Sequence, residues 1–164
     1  MDFEGVIMTD NTQYIGKHII SNELGIGEIV EIVDMGDSGE FFKVAFAKGE
    51  GTNFFSIENQ KNYRLLESKD ALEKAIEVFK NHDEKREFSS LQKKIEFYKS
   101  SLKSTSVADL AQILAELNNE EEVHTGLKTQ FEKALKAFVK EIEFVLGIKN
   151  IEAWNLMGLN KNNK

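Results

Sequence analysis

The chain reads as an α+β protein in which a small curled β-barrel is followed by an all-α helical bundle. Three observations predict this. Glycine crowds the first part, with eight of the 11 glycines inside residues 1–70. Short β-branched and aromatic runs follow one another there, separated by Gly, Asn, Asp and Ser turn signals. From Ser68 onward the apolar residues recur every three or four positions instead, which is the period of an amphipathic helix. The expected domains are 1–67, a β domain with an N-terminal arm, and 68–164, a helical domain entered through a linking helix over about 69–81.

Residues 1–14 show no sustained period and are expected to form an arm or edge strand. Residues 16–33 hold two β-branched runs around a polar turn, the pattern of strand, reversal and strand. Further strands are expected at 41–47, 52–57 and 62–66. Such an array is too small for a sandwich and too twisted to lie flat, so it should curl into a barrel. Phe42, Val44 and Phe46 alternate with Phe41, Lys43 and Ala45, giving one buried face. Residues 26–33 alternate badly, which a bulge or burial on both faces would produce. Gly36 and Gly39 bracket one turn, and Gly49 and Gly51 another; proline is absent.

The helices follow in series. Ser68 or Asp70 can cap the first, whose face is Leu72, Ala75, Ile76 and Phe79. After a polar corner at 81–85, a helix is expected over 84–103 with Phe88, Leu91, Ile95, Tyr98 and Leu102 on its apolar stripe. Ser106 and Asp109 resemble a capping box before Leu110, Ile113, Leu114 and Leu117. Thr125 is the expected cap of the longest helix, with the stripe Leu127, Phe131, Leu135, Phe138, Ile142 and Val145 and a stop at Gly147. A last short helix carries Ile151, Trp154 and Met157, which reads as core, and residues 160–164 should fray. Short connections imply an antiparallel bundle.

Charge narrows the function. Residues 1–70 hold 13 acids against six bases and residues 71–164 hold 15 of each, so the first part carries the whole formal charge of −7. An acidic chain is repelled by phosphate, so unaided tight binding to duplex DNA is not expected. The absence of cysteine excludes disulfides, thiol nucleophiles and thiolate zinc sites. No apolar run approaches the roughly 20 residues a membrane helix needs, and the acidic N-terminus lacks the basic start of a signal peptide, so a cytoplasmic protein is expected. His18, His82 and His124 stand apart without metal-ligand spacing. Gly25-Ile26-Gly27 lacks the third glycine of a phosphate loop and leads toward a strand, so it reads as a turn. The acids at 120–122 read as a solvated loop. No metal, cofactor or catalytic group is implied.

One surface stands out. Residues 80–103 hold seven cations against four acids, the most basic window of the chain. If that stretch is helical, Arg86, Ser90, Lys93 and Phe97 share its outward face. This is either a solvated face with a stray aromatic or a phosphate-contacting surface with an apolar group beside it.

The runs Ile15-Gly16, Leu24-Gly25-Ile26-Gly27-Glu28-Ile29, Phe42-Lys43-Val44-Ala45-Phe46 and Tyr63-Arg64-Leu65-Leu66-Glu67-Ser68 with Ala71 and Leu72 resemble the CarD/CdnL family of bacterial transcription regulators. So do Leu102-Lys103-Ser104 leading into Val107-Ala108-Asp109-Leu110-Ala111, and Lys133-Ala134-Leu135 with Glu141. The resemblance spans about residues 14–158. It implies a Tudor-like N-terminal domain, shared with the transcription-repair coupling factor, that adds a strand to the RNA polymerase β subunit. It implies a helical domain that touches promoter DNA only within the polymerase complex, where an aromatic wedge and basic neighbours favour the open complex.

Carried onto this chain, the polymerase contacts fall at Met35 and on Thr52, Asn53, Phe54, Phe55, Ser56 and Ile57. The DNA contacts fall at Arg86, Lys93 and Lys94, with Phe88 or Leu91 where the family usually has a tryptophan wedge. The family's turn prolines are replaced near Ser21-Asn22 and Ile57, and its polymerase-facing arginines by Met35 and Phe55. The expectation is a monomeric, non-enzymatic regulator. An adaptor without a wedge, recruiting another protein through its helices, is the first alternative. A small enzyme using Glu28 and Glu31 is the second.

Overall fold

The computed structural model describes residues 11–21, 24–46, 51–60, 63–103 and 106–159. The chain divides into two units, Met1–Leu66 and Glu67–Lys164. In the first, β1 (His18–Ser21) and β2 (Gly25–Asp34) form an antiparallel hairpin in which Ile20 faces Ile26. Gly25 takes φ +81°, a left-handed backbone that a side chain would strain, and so lets the chain reverse. β3 (Glu40–Phe46) pairs with β2, β4 (Gly51–Ser56) pairs with β3, and β5 (Tyr63–Leu65) returns to β1. The order is β4-β3-β2-β1-β5, antiparallel throughout.

A closed barrel needs a ladder between the two outermost strands, and none is present among the described residues. The expected barrel is therefore corrected to an open sheet. It is still strongly curled. Flat strands spaced about 4.8 Å apart would set β4 and β5 about 19 Å from one another. Instead the rings of Phe55 and Tyr63 lie 5.0 Å apart, and the Tyr63 hydroxyl donates to the Ser56 carbonyl at 2.6 Å. Burial pushes the pKa of that hydroxyl up to about 12, so the donated proton stays in place near neutrality. Side chains span the gap that the backbone leaves open.

Inside the curl lie Ile19, Ile29, Phe42, Val44, Phe46 and Tyr63. The poor alternation of β2 has a bulge as its cause. Its register with β3 slips between Ile29 and Glu31, which leaves Val30 41% exposed between them. Gly27 is not part of a turn, as expected, but lies within β2 opposite Phe46. A Cβ there would sit 2.6 Å from Val44 Cγ1 and 2.7 Å from the Phe46 ring. Gly36–Ser38 makes the expected turn, with Gly36 at φ +67° and Asp34 accepting from its N–H. Asn11–Tyr14 is a 3₁₀ turn and not an extended arm. Residues 1–10, residues 47–50 of the second glycine turn, and the tail at 160–164 lie outside the described residues.

The second unit has five helices among the described residues: α1 (Lys69–Asn81), α2 (Leu91–Ser101), α3 (Val107–Asn118), α4 (Thr125–Leu146) and α5 (Asn150–Leu156). Serine hydroxyls accept from the first turns of three of them: Ser68 from Ala71, Ser90 from Lys93 and Ser106 from Asp109. The α1 and α4 stripes are buried as their periods predict, and α3 is buried nearly all round. Gly147 closes α4 at φ +67°.

Three expectations change. The α4 cap is His124, whose Nδ1 accepts from Gly126 N–H at 2.9 Å, and Thr125 is the first helical residue. Ile151 is exposed while Trp154 and Met157 are buried, because three-residue steps each fall about 60° short of a turn. The helix expected over 84–103 begins only at Leu91, since Ser90 is extended and caps it.

Gly27→Ala should overpack β2 against Val44 and Phe46 and cost about 1–3 kcal/mol in denaturant unfolding of the full chain. Val30→Ala, on the exposed bulge, should stay within about 0.5 kcal/mol. Equal effects at the two positions would contradict the packing described.

Candidate nucleic-acid interface

The late start of α2 rearranges the basic surface. Residues 82–90 run as an irregular corner between α1 and α2, so Arg86 and Ser90 do not share a helix face with Lys93 and Phe97. Phe97 is half-buried and packs on the helical core. The outward face expected from helical spacing is thus corrected. Tertiary contacts rebuild part of it. The Arg86 guanidinium carbon sits 4.7 Å from the Phe97 ring centroid, a cation–π contact. Phe88, Phe97 and Tyr98 form a ring cluster with centroids 5.2–5.7 Å apart.

The two apolar wedge candidates part company here. Phe88 is half-buried against that cluster. Leu91, placed on the core stripe by sequence spacing, is 55% exposed at the first position of α2. Lys93 is exposed close by. Lys94 is engaged, with its Nζ 2.9 Å from a Glu120 carboxylate oxygen. Arg86 is engaged more tightly, its Nε donating to Glu116 Oε1 at 2.7 Å, while 39% of its side chain stays exposed.

Glu116 is the residue that sequence reasoning missed. It is buried in α3, and α2 and the corner send three donors to it: Tyr98 Oη at 2.7 Å on Oε1, Arg86 Nε on the same oxygen, and His82 Nε2 at 2.8 Å on Oε2. Asn119 Nδ2 adds a bond to the His82 carbonyl at 3.1 Å. Burial alone would raise the Glu116 pKa. The bonds from Arg86, Tyr98 and His82 and the charge of Arg86 outweigh it and hold the carboxyl below its ordinary 4.5. Burial, then the bond to Glu116, pushes the Tyr98 hydroxyl well above the usual phenol range, so it remains a donor. The bond to Glu116 likewise raises the Arg86 pKa. An open, mixed-charge cleft of about 580 Å³ lies over this cluster, walled by residues 83–86 and 119–122 with Lys94.

In the first unit, the residues matched to polymerase contacts fall mainly on β4. Thr52, Asn53 and Phe54 are exposed, Phe54 at 47%, while Phe55, Ser56 and Ile57 are half-buried. Phe55 turns inward onto Phe46 and Tyr63. β4 pairs only with β3 among the described residues, so its other edge carries no ladder there. Met35 is exposed just after β2. Glu28 and Glu31 are both exposed, and Glu31 lies 3.7 Å from Lys43 Nζ. Among the described residues no group of three or more His, Cys, Asp or Glu could hold a metal ion, and no helix is long and apolar enough to cross a membrane.

Fold and site define a class of protein: an α+β chain with a curled, edge-bearing sheet unit and a unit of five helices among the described residues, whose mixed-charge corner packs Arg86 against an aromatic cluster. A family model described as the CarD C-terminal domain matches residues 74–158, from within α1 past the end of α5. The chain belongs to the CarD family of transcription factors. A comparison with curated proteins returns no match.

The depressed Glu116 pKa sets a pH dependence. Because the folded value lies below the unfolded one, the stabilisation is fully present above about pH 4.5 and is lost as the pH falls through the folded value. The gap in unfolding free energy between wild type and Glu116→Gln should accordingly be widest above pH 4.5 and shrink below it. A gap that widens on acidification would contradict the assigned direction.

Proposed function

We propose that the chain is a non-enzymatic transcription regulator that binds RNA polymerase through its β unit and, from there, contacts upstream promoter DNA to stabilise the open complex. Membership in the CarD family supports the transcriptional role. The observation that carries the DNA-contacting part is Leu91, an exposed apolar side chain at the first position of α2, two residues before exposed Lys93 and beside the corner that bears Arg86. Leu91 is already 55% exposed, whereas Phe88 would have to leave Phe97 and Tyr98 to insert. Leu91 is therefore the wedge in this reading, Lys93 and Arg86 the cations that hold phosphate, and Lys94 a third once it leaves Glu120. A wedge shifts the melting equilibrium only by the difference between its fit to parted and to paired strands.

The polymerase contact rests on β4 and Met35. A strand edge with no ladder among the described residues and an exposed Phe54 suits strand addition, in which main-chain bonds supply affinity and side chains specificity. The acidic charge of the first 70 residues fits a protein partner and opposes DNA. Tethering to polymerase then replaces intrinsic DNA affinity with effective concentration. One observation favours a second reading, an adaptor without a wedge that recruits another protein through its helices: Arg86 and Lys94 already have carboxylate partners.

Open-complex lifetime with purified polymerase separates the two. Leu91→Ala should shorten it about tenfold, the equivalent of roughly 1.5 kcal/mol of lost apolar burial, with unfolding stability unchanged within about 0.5 kcal/mol. An adaptor would leave the lifetime unaltered. On immobilised β lobe, Phe54→Asp in the full chain should abolish capture and Lys93→Glu should preserve it; the reverse pattern would overturn the division of labour.

A further inference from the structure

Glu116 is none of the contact residues proposed above, yet it holds the corner that bears Arg86 and leads into Leu91. Residues 82–90 have neither helix nor strand to fix them. In place of a backbone ladder, the segment is fastened at its start and middle to one carboxylate of α3, through His82 Nε2 and Arg86 Nε. Tyr98 of α2 reaches the same oxygen as Arg86, so the corner, α2 and α3 meet at a single acceptor group. We propose that Glu116 is a positioning residue for DNA contact: it pre-orients the Arg86 guanidinium, and with it the corner leading to Leu91, before DNA arrives. This rests on the DNA-contacting role proposed above.

The geometry favours positioning over simple neutralisation. Guanidinium is a planar fork of five donors. Anchoring Nε to a buried acceptor, with the guanidinium carbon over the Phe97 ring, holds the group by two contacts. The terminal nitrogens, on the side away from Nε, keep the bidentate geometry that a phosphate accepts. The Lys94–Glu120 pair is the internal contrast. It joins a point charge to a partly exposed carboxylate, and Glu120 supports no other bond in the corner among the described residues. Glu120 only offsets charge, whereas Glu116 aims a side chain.

The two roles predict opposite signs. Removing a carboxylate beside a phosphate-binding surface strengthens DNA contact if charge is all that matters. Glu116→Gln, nearly isosteric, should instead shorten open-complex lifetime about two- to tenfold, the cost of ordering one rotamer-rich side chain at the moment of binding. Arg86→Lys, which keeps the charge but loses the Nε bond and the fork, should shorten it similarly. Glu120→Gln should not shorten it. In the free protein, NMR of the Arg86 side chain should show an ordered, exchange-protected Nε–H that Glu116→Gln loosens. A lifetime that Glu116→Gln lengthens or leaves unchanged overturns the proposal, as does an Arg86 Nε–H equally mobile with and without Glu116. If Glu116→Gln loosens Arg86 while Arg86→Lys, Lys93→Ala and Leu91→Ala all leave the lifetime untouched, positioning of the side chain stands and the DNA role fails.

Discussion

The second unit turns on one buried carboxylate. Glu116 lies in a helix that is buried nearly all round, where an isolated charge would be strongly disfavoured. It is tolerated because three donors from outside α3 converge on it. A buried ionic cluster is weak support for stability, since a well-packed apolar set often does as well. What such a cluster does supply is geometry. It ties an irregular corner and the last turns of α2 and α3 into one arrangement, and the exposed groups of the candidate interface are distributed around it.

The first unit obeys a different constraint, which is the curl of a sheet without closure. Twist brings Phe55 and Tyr63 together across the opening, and the Tyr63–Ser56 bond fixes that approach. The backbone groups on the outer edge of β4 gain no ladder from this among the described residues. Proteins usually blunt such edges with charge, proline or short length. β4 instead presents Thr52, Asn53 and Phe54 to solvent, and that choice of residues is better suited to a partner than to avoidance of one. In the proposed function, the acidic surplus of this unit suits a protein surface and opposes DNA.

Much of the fold was legible because periodicity reports burial directly. The α1 and α4 stripes, the Phe42, Val44 and Phe46 face, the caps at Ser68 and Ser106 and the stop at Gly147 all follow from spacing and local chemistry. Closure of the sheet was not legible, since it depends on whether two distant strands exchange backbone bonds. The start of α2 was misplaced because Phe88 and Leu91 fit a helical stripe as well as they fit an aromatic cluster and an exposed tip. The Ser89-Ser90 pair was the signal against it, a cap in the middle of the supposed helix. Glu116 was signalled only weakly, as an acid set between Ala115 and Leu117 with polar Gln112, Asn119 and Glu120 on its own side of the helix. Its partners were not, because His82 and Arg86 lie 34 and 30 residues away, and nothing local announces that pairing.

The central claim is that the corner around Glu116 meets promoter DNA only when polymerase brings it there. A photoreactive residue in place of Leu91 tests this most directly. The account predicts crosslinks to the upstream edge of the bubble when polymerase is present, and none to the same promoter as free duplex at ordinary ionic strength. Efficient crosslinking to naked duplex, or none to DNA in the complete open complex, would contradict it.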